Sequence, residues 1–185
     1  MTPEPDADEI RTLAERLREL TGNALLGLPE EIFHLVSSLT PMVNVDLLIR
    51  NEHGQTLLTW RADEFYGPGW HIPGGIIRFK ERAAQRIAAV AAQELGCTIE
   101  ASLSPLLMRE ITAPHRDVRG HFISLLYACT LRTSPDPTLK FCSGMPKNGE
   151  WMWHDRCPNN LIGVHEAYRP WIDNPDAPAF SCIQA

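Results

Sequence analysis

The residue types best suited to chemistry sit in one stretch, Pro73-Gly74-Gly75 through Gly96. Gly75 is followed after five residues by Glu81, and thirteen positions later comes Glu94-Leu95-Gly96. Carboxylate oxygens are the ligands that hard divalent cations take, so a helix ending in Glu94 could hold such an ion. One carboxylate supports one metal. Two further residues stand out by their chemistry and setting. Asp46 stands inside an aliphatic run, where a carboxylate is costly unless paired, and otherwise must face water at a sheet edge. Arg61 carries a guanidinium, which stays protonated and can make forked hydrogen bonds to an oxyanion, though a lone arginine is more often a solvated charge.

The elements that must position these residues follow from the pattern. Pro73-Gly74-Gly75 reads as a turn that glycine's access to φ > 0 makes cheap, leading into a helix of about four turns that stops at Gly96. Its apolar stripe is predicted as Ala84, Ile87, Ala88, Ala91 and Leu95. Upstream, Ile10, Leu13, Leu17 and Leu20 recur at helical spacing up to Gly22, giving an amphipathic helix that serves a dimer contact, a lid, or packing on its own domain. A second helix runs from Pro29 to about Leu39 with Ile32, Phe33, Leu35, Val36 and Leu39 as its buried stripe. Met42 to Arg50 and Gln55 to Arg61 are strands joined as a hairpin by Asn51-Glu52-His53-Gly54. The loop from Ala62 to Gly69 carries Phe65 and Tyr66, which suit a sugar or base platform. Strands are expected at Cys97 to Leu103, Leu106 to Thr112, His121 to Leu131 and Glu150 to His154, then a helix near Pro158 to Ala167. From Tyr168 on, proline and aromatic residues suggest a tail draped on the surface. Met1 to Ala7 reads as a frayed end.

The spacing resembles the signature of the Nudix hydrolases, whose full box reads Gly, five residues, Glu, seven residues, Arg-Glu, an aliphatic residue, any residue, Glu-Glu, any residue, Gly. This chain keeps Gly75, Glu81, Glu94 and Gly96; Ala89-Val90 replaces the Arg-Glu pair and Gln93 the first paired glutamate. The runs Leu39 to Ile49, Gly54 to Arg61 and Gly69 to Gly75 resemble the GDP-mannose mannosyl hydrolase branch, where the box is itself degenerate and ends Glu-Leu-Gly. The resemblance implies an α+β Nudix fold, a mixed β-sheet sandwiched between helices, with an extra N-terminal helix. It divides the chain into an extension at 1–28, the Nudix domain at 29–170 and a tail at 171–185.

It also implies roles. Asp46 matches an active-site aspartate, and Arg61 the residue that neutralises the departing nucleoside diphosphate. His121 and Phe122 match a His-Tyr pair, so Phe122 lacks the substrate-binding hydroxyl. Tyr66 is a further substrate contact. One Mg²⁺ (or Mn²⁺) would be held by Glu94 and the carbonyl of Gly75, with Gln93 and Glu150 as further candidate ligands. The branch's metal-binding glutamine and general-base histidine fall on Lys147 and Asn148, so the base is left among His115, His121 and His154. Arg82 or Arg86 could replace the missing box arginine by pairing with Glu81. The implied reaction is water attack at the anomeric carbon of a nucleoside diphosphate sugar, with inversion. Two alternatives keep the fold: a phosphorus-attacking Nudix pyrophosphatase, and a nucleotide-sugar-binding protein without turnover. The branch being dimeric, a homodimer is expected.

Composition bounds the rest. The chain has 185 residues, 44% of them hydrophobic, enough for one cored domain. A formal charge of −6 argues against nucleic acid as a partner. No run approaches the roughly 20 apolar residues of a membrane span, and no leader pattern opens the chain. Cys97, Cys129, Cys142, Cys157 and Cys182 show neither CxxC spacing nor scaffold density, which predicts reduced thiols in the cytoplasm.

Overall fold

The computed structural model describes residues 6–174, so most of the expected frayed start and the tail beyond 174, Cys182 included, lie outside the described residues. Helix α1 spans Ala7–Thr21, capped by the Asp6 carboxylate, which accepts from the amide of Asp8 at 3.0 Å. Its stripe forms as the spacing predicts but is not packed on its own domain: Ile10, Leu13, Leu17 and Leu20 are all exposed and no residue of the helix is buried. Helix α2, Glu30–Leu39, begins at Pro29 as expected. Its burial differs from the predicted stripe, because Leu35 and Leu39 face outward while Ser37 is the buried residue.

The sheet is mixed. Strand β1 (Met42–Arg50) lies at its centre, parallel to β7 (His121–Leu131) from Met42↔Phe122 to Arg50↔Thr130. A parallel central pair is covered on both faces, so β1 alternates between two cores rather than between core and water. Val45, Leu47 and Ile49 pack with helix α3 (Ala83–Leu95), and Leu48 packs with Tyr168, Trp171 and Ile172 on the other side. Asp46 therefore points into the second face and not to an outer edge, which excludes the solvent-facing reading.

The hairpin between β1 and β2 (Thr56–Arg61) is closed only at its turn, by Arg50↔Thr56. Beyond that pair the two strands splay, and two short strands fill the gap. Strand β3 (Gly69–His71) pairs with β2, and β4 (Gly74–Ile76) pairs with β1 over Asn44, Val45 and Asp46. Strands β5 (Ile99–Ala101) and β6 (Leu107–Thr112) flank β7, and β8 (Trp151–His154) flanks β2.

Gly74 and Gly75 are thus not the positive-φ turn that the sequence suggested but part of a strand, and their value is the absence of a side chain. A Cβ on Gly74 would run into the Asp46 carboxyl and come 2.8 Å from the carbonyl of Val45; one on Gly75 would lie 2.9 Å from Val90 Cγ2. Gly96, by contrast, does take the left-handed conformation, φ 62° and ψ 27°, and ends α3 where expected. The buried face of α3 is Arg86, Ile87, Val90, Ala91 and Leu95, so Ala84 and Ala88 are exposed against prediction.

The C-terminal part is core, not drape. A 3-10 turn at Gly163–Tyr168 and helix α4 (Arg169–Asp173) replace the expected helix at 158–167, with Tyr168 and Ile172 sealed from solvent. Trp171 and Ile172 of α4 pack in the same cluster as Leu48. Cys97, Cys129, Cys142 and Cys157 carry free thiols. No helix among the described residues is long and apolar enough to cross a membrane.

Gly74→Ala should lower unfolding stability by about 1–3 kcal/mol, the usual cost of forcing extra volume into packed structure. A denaturation midpoint unchanged from the parent chain would show that the strand has room for a methyl group.

Candidate active site

Strand alternation puts Asn44 and Asp46 on one face of β1, beside the gap filled by β3 and β4. Asp46 is 2% exposed, yet its carboxyl is fully bonded. Oδ1 accepts from Asn44 Nδ2 at 3.0 Å, and Oδ2 contacts the Ser124 hydroxyl of β7 and, at 2.6 Å, the phenol of Tyr168. The phenol and Ser124 Oγ are themselves 2.6 Å apart. Three oxygens in mutual contact need three protons, and the two hydroxyls supply two. A neutral carboxyl completes the ring, which is the direction in which burial pushes Asp46, against the lowering effect of its hydrogen bonds from Ser124, Tyr168 and Asn44.

Two histidines adjoin this ring. The amide of Ile72 donates to His165 Nδ1 at 3.1 Å, so that nitrogen is the acceptor and the proton sits on Nε2, 4.0 Å from Asp46 Oδ1. The carbonyl of Ile72 accepts from His71 Nδ1 at 2.9 Å, which leaves His71 Nε2 to accept from the Thr59 hydroxyl at 3.0 Å. Burial, reinforced for His71 by His165 and for both by Arg61, brings each imidazole down to about 3. Both are neutral at physiological pH.

Glu94 lies behind the glycine strand, its carboxyl accepting from the amide of Gly74. Burial raises it to about 8, helped by the nearby Asp46 and opposed by Arg61 and the Gly74 amide. Glu81 is held quite differently. Its carboxylate accepts from the Arg78 amide at 2.9 Å and from Arg86 through Nε at 2.8 Å and Nη2 at 2.9 Å. Burial alone would raise this carboxyl, but those donors outweigh it and keep it ionised below the ordinary range. Arg86 rather than Arg82 thus supplies the partner that the box lacks. The pair is sequestered, with side chains 6% and 13% exposed, so losing one member would cost about 3–5 kcal/mol and not the few tenths of a surface pair.

Arg61 ends β2 and lines a cavity of about 520 Å³ that also takes in Asp46, Gly75, His71 and His165. One edge of its guanidinium is bonded to Asp63. Burial would raise the Asp63 carboxyl, but the Tyr66 amide and Arg61 outweigh that and hold it down. Asp63 Oδ1 also accepts from the amides of Phe65 and Tyr66, each at 2.9 Å, which folds the loop so that the Tyr66 ring lies 5.1 Å from Arg61. Phe122 meets Tyr66 edge-on, the ring centres 6.4 Å apart.

Asp46, Arg61, Tyr66, Gly75 and Phe122 thus share one cavity wall, with Glu94 close behind Gly74. Other sequence candidates lie elsewhere. The imidazole of His121 turns to Glu110 of β6 at 2.9 Å, off the cavity wall. Gln93 is on the exposed face of α3. The Glu150 carboxylate accepts from the Lys147 amide at 2.8 Å, and Asn148 Oδ1 from the Ala62 amide at 3.0 Å, so this segment fastens the end of β2. His115 is exposed in a loop, and His154 is buried against Trp70, 4.8 Å between ring centres. His71, His165, Ser124 and Tyr168 were not foreseen. Only the period-two placement of Asn44 and Asp46 could have hinted at a buried polar face; the Tyr168 contact spans 122 residues and leaves no local trace.

No group of three or more His, Cys, Asp or Glu side chains among the described residues could hold a metal ion. The Glu94 carboxyl is within electrostatic reach of the Asp46 carboxyl and accepts from the amide of Gly74, which pairs with Asp46 across the strands. That set fits Mg²⁺, which keeps several waters and relies on one or two carboxylates plus substrate phosphate.

A NUDIX domain model matches residues 40–174. The chain is 32% identical over 110 residues to the low-salt glycan biosynthesis protein Agl8 of Haloferax volcanii, covering 56% of this chain and 68% of that protein. Among solved structures, the MutT protein of Methanosarcina mazei superposes with a TM-score of 0.55 at 18% identity, over 72% of this chain and 94% of that one. The MutT Nudix hydrolase of Burkholderia pseudomallei gives 0.55 at 20% identity, over 71% and 97%. A UDP-X diphosphatase gives 0.52 at 16% identity, over 91% and 70%. At these identities the structures speak for the fold alone.

Glu94 sets a pH dependence of stability. Its folded pKa of about 8 lies above the unfolded value of 4.5, so stability is fully present below about pH 4.5 and declines up to about 8. In the presence of a chelator, Glu94→Gln should flatten that decline and unfold less readily than the parent chain at pH 8, by about 1–2 kcal/mol. Parallel pH profiles for the two proteins would show that Glu94 is not buried in this way.

Proposed function

Because the chain belongs to the Nudix hydrolase family, we propose that it is a Mg²⁺-dependent (or Mn²⁺-dependent) hydrolase of a nucleoside diphosphate sugar, acting at the anomeric carbon. The observation that carries this reading is the position of Arg61, which lines the cavity within electrostatic reach of Glu94 and has one guanidinium edge bonded to Asp63. A permanently charged fork beside neutral imidazoles suits a leaving diphosphate better than any neutral ligand. The glycan-biosynthesis name of the Haloferax volcanii relative is consistent with a sugar-bearing substrate.

In this reading Glu94 and the Gly75 carbonyl hold the cation, which when bound adds positive charge at the diphosphate. Arg61 binds that diphosphate and stabilises it as it departs. Tyr66 and Phe122 form the wall against which the substrate is placed. His165 Nε2–H and Asp46 Oδ1, 4.0 Å apart, can share one water, the imidazole donating to it and the carboxyl accepting from it. In its ionised form Asp46 takes the proton of the attacking water, and its raised pKa makes that form a stronger base than a free carboxylate. Asp46 thereby fills the general-base place that the sequence reading left among His115, His121 and His154, and His165 holds the water. Cytoplasmic location and the exclusion of nucleic acid belong to the same proposal, the latter resting on the formal charge of −6.

A second reading, binding without turnover, draws on the outward position of Gln93 and Glu150, which leaves Glu94 with few helpers. Incubation with Mg²⁺ and a panel of nucleoside diphosphate sugars in ¹⁸O-water should give labelled free sugar and unlabelled nucleoside diphosphate. Sugar phosphate with nucleoside monophosphate would mean attack at phosphorus instead, and binding with no products would favour the sensor.

The proposal extends to assembly as a homodimer. A 15-residue helix with no buried residue is marginal on its own in water, and its apolar residues are spaced symmetrically about Glu15. An antiparallel second copy would set Ile10 against Leu20 and Leu13 against Leu17, with Arg11 facing Glu19. Sedimentation should show a particle of twice the chain's mass that the Leu13→Asp, Leu17→Asp double variant reduces to one chain; a monomeric parent protein at tens of micromolar, roughly the range of weak dimers, would refute this.

A further inference from the structure

Three guanidinium groups meet on one aromatic ring of the cavity lining, that of Tyr66. Arg116 lies 4.2 Å from the Tyr66 ring centre, Arg61 at 5.1 Å and Arg119 at 5.6 Å. Arg119 also covers Phe65 at 4.5 Å. Asp63 pairs with Arg61, while Arg116 and Arg119 have no carboxylate partner among the described ion pairs. Arg119 Nε and Arg116 Nη1 are buried with no hydrogen-bond partner among the described residues, so the hydrogen-bonding capacity of the cluster is not used up within the protein.

The chain goes to some length to hold this cluster in place. Arg119 takes φ 55°, a left-handed conformation unfavourable for a residue with a side chain. It is fixed there by its carbonyl, which accepts from the Tyr66 hydroxyl at 2.6 Å, and by its amide, which donates to Ser37 Oγ at 3.1 Å. Arg116 donates to the carbonyl of Phe65. Two loops and α2 are thus tied together around cations that repel one another. Stacking on Tyr66 and Phe65 occupies guanidinium faces, so what the cluster can still offer is N–H edges, and edges bind oxyanions.

We propose that Arg61 and Arg119, backed by Arg116 on the Tyr66 ring, form an anion subsite for the phosphate group that lies farther from Glu94. The subsite takes a phosphate bearing at least one full negative charge, held by forked N–H···O bonds from Arg119 while Arg61 bridges toward the inner phosphate. It rests on the hydrolase reading only in assigning the ligand's other end to Glu94. None of the three arginines that build it belongs to the box helix; Arg116 and Arg119 come from the loop between β6 and β7.

Inorganic pyrophosphate, titrated calorimetrically in the presence of a chelator, tests the subsite without any turnover. The parent chain should bind it, and Arg119→Gln should weaken binding at least about tenfold, the loss expected for charged hydrogen bonds. Arg119→Lys keeps the charge without the fork and should fall between the two, with a melting temperature that shows the chain still folds. Pyrophosphate binding that Arg119→Lys and Arg119→Gln leave within about twofold of the parent overturns the subsite, as does a parent chain that does not bind pyrophosphate at all. If unphosphorylated nucleosides bind as tightly as pyrophosphate and Arg119→Gln weakens only them, the cluster reads a base and the phosphate assignment is wrong. Pyrophosphate binding that depends on Arg119 in a protein that hydrolyses no nucleotide sugar would uphold the subsite while removing the hydrolase reading.

Discussion

The Asp46 carboxyl, shut inside the sheet and bonded to Asn44, Ser124 and Tyr168, is the interaction on which the rest of the site depends. It joins the two central parallel strands to a turn more than a hundred residues along the chain. It also explains a glycine: β4 can lie against β1 only because Gly74 brings no side chain toward Asp46. A buried carboxyl without these partners would cost several kcal/mol. With them it becomes a fixed reference against which the glycine strand and His165 are placed.

The charge pattern around this anchor is one-sided. Burial suppresses the charges of the imidazoles and raises the pKa values of Glu94 and Asp46, whereas the guanidiniums of Arg61 and Arg119 line the same cavity. Glu81 keeps its charge only by giving it to Arg86. A cavity built this way favours anions before any specific contact forms, because Arg119 has no carboxylate partner among the described ion pairs and only Asp63 offsets Arg61. The degenerate box is consistent with this economy: where another chain would have a second acidic side chain, Val90 packs against Gly75.

Much of the fold was legible from local pattern. Strand β7, the extent of β1 and the glycine stop of α3 each follow from a few adjacent residues, and the structure agrees with them. What failed had a common cause. The Gly74-Gly75 pair was read as a turn because glycine's two uses, positive φ and close approach, look alike in sequence. Tyr168, Trp171 and Ile172 were read as surface because nothing in their own neighbourhood reveals that the second face of the sheet needs covering. Among the seven histidines the choice between His121 and His165 turns on tertiary contacts alone, since neither has a distinctive setting in the chain. Arg61 and Asp46 could be picked out because their chemistry is unusual for where they stand.

Ile72 makes two opposed bonds, its amide giving a hydrogen to His165 and its carbonyl taking one from His71. One residue of main chain therefore sets the tautomers of both rings in opposite senses, and neither can be re-tuned by exchanging the Ile72 side chain. Any apolar residue that fills the same space preserves both settings. Proline alone erases one, having no hydrogen to give, and would leave the His165 ring free to turn its proton the other way.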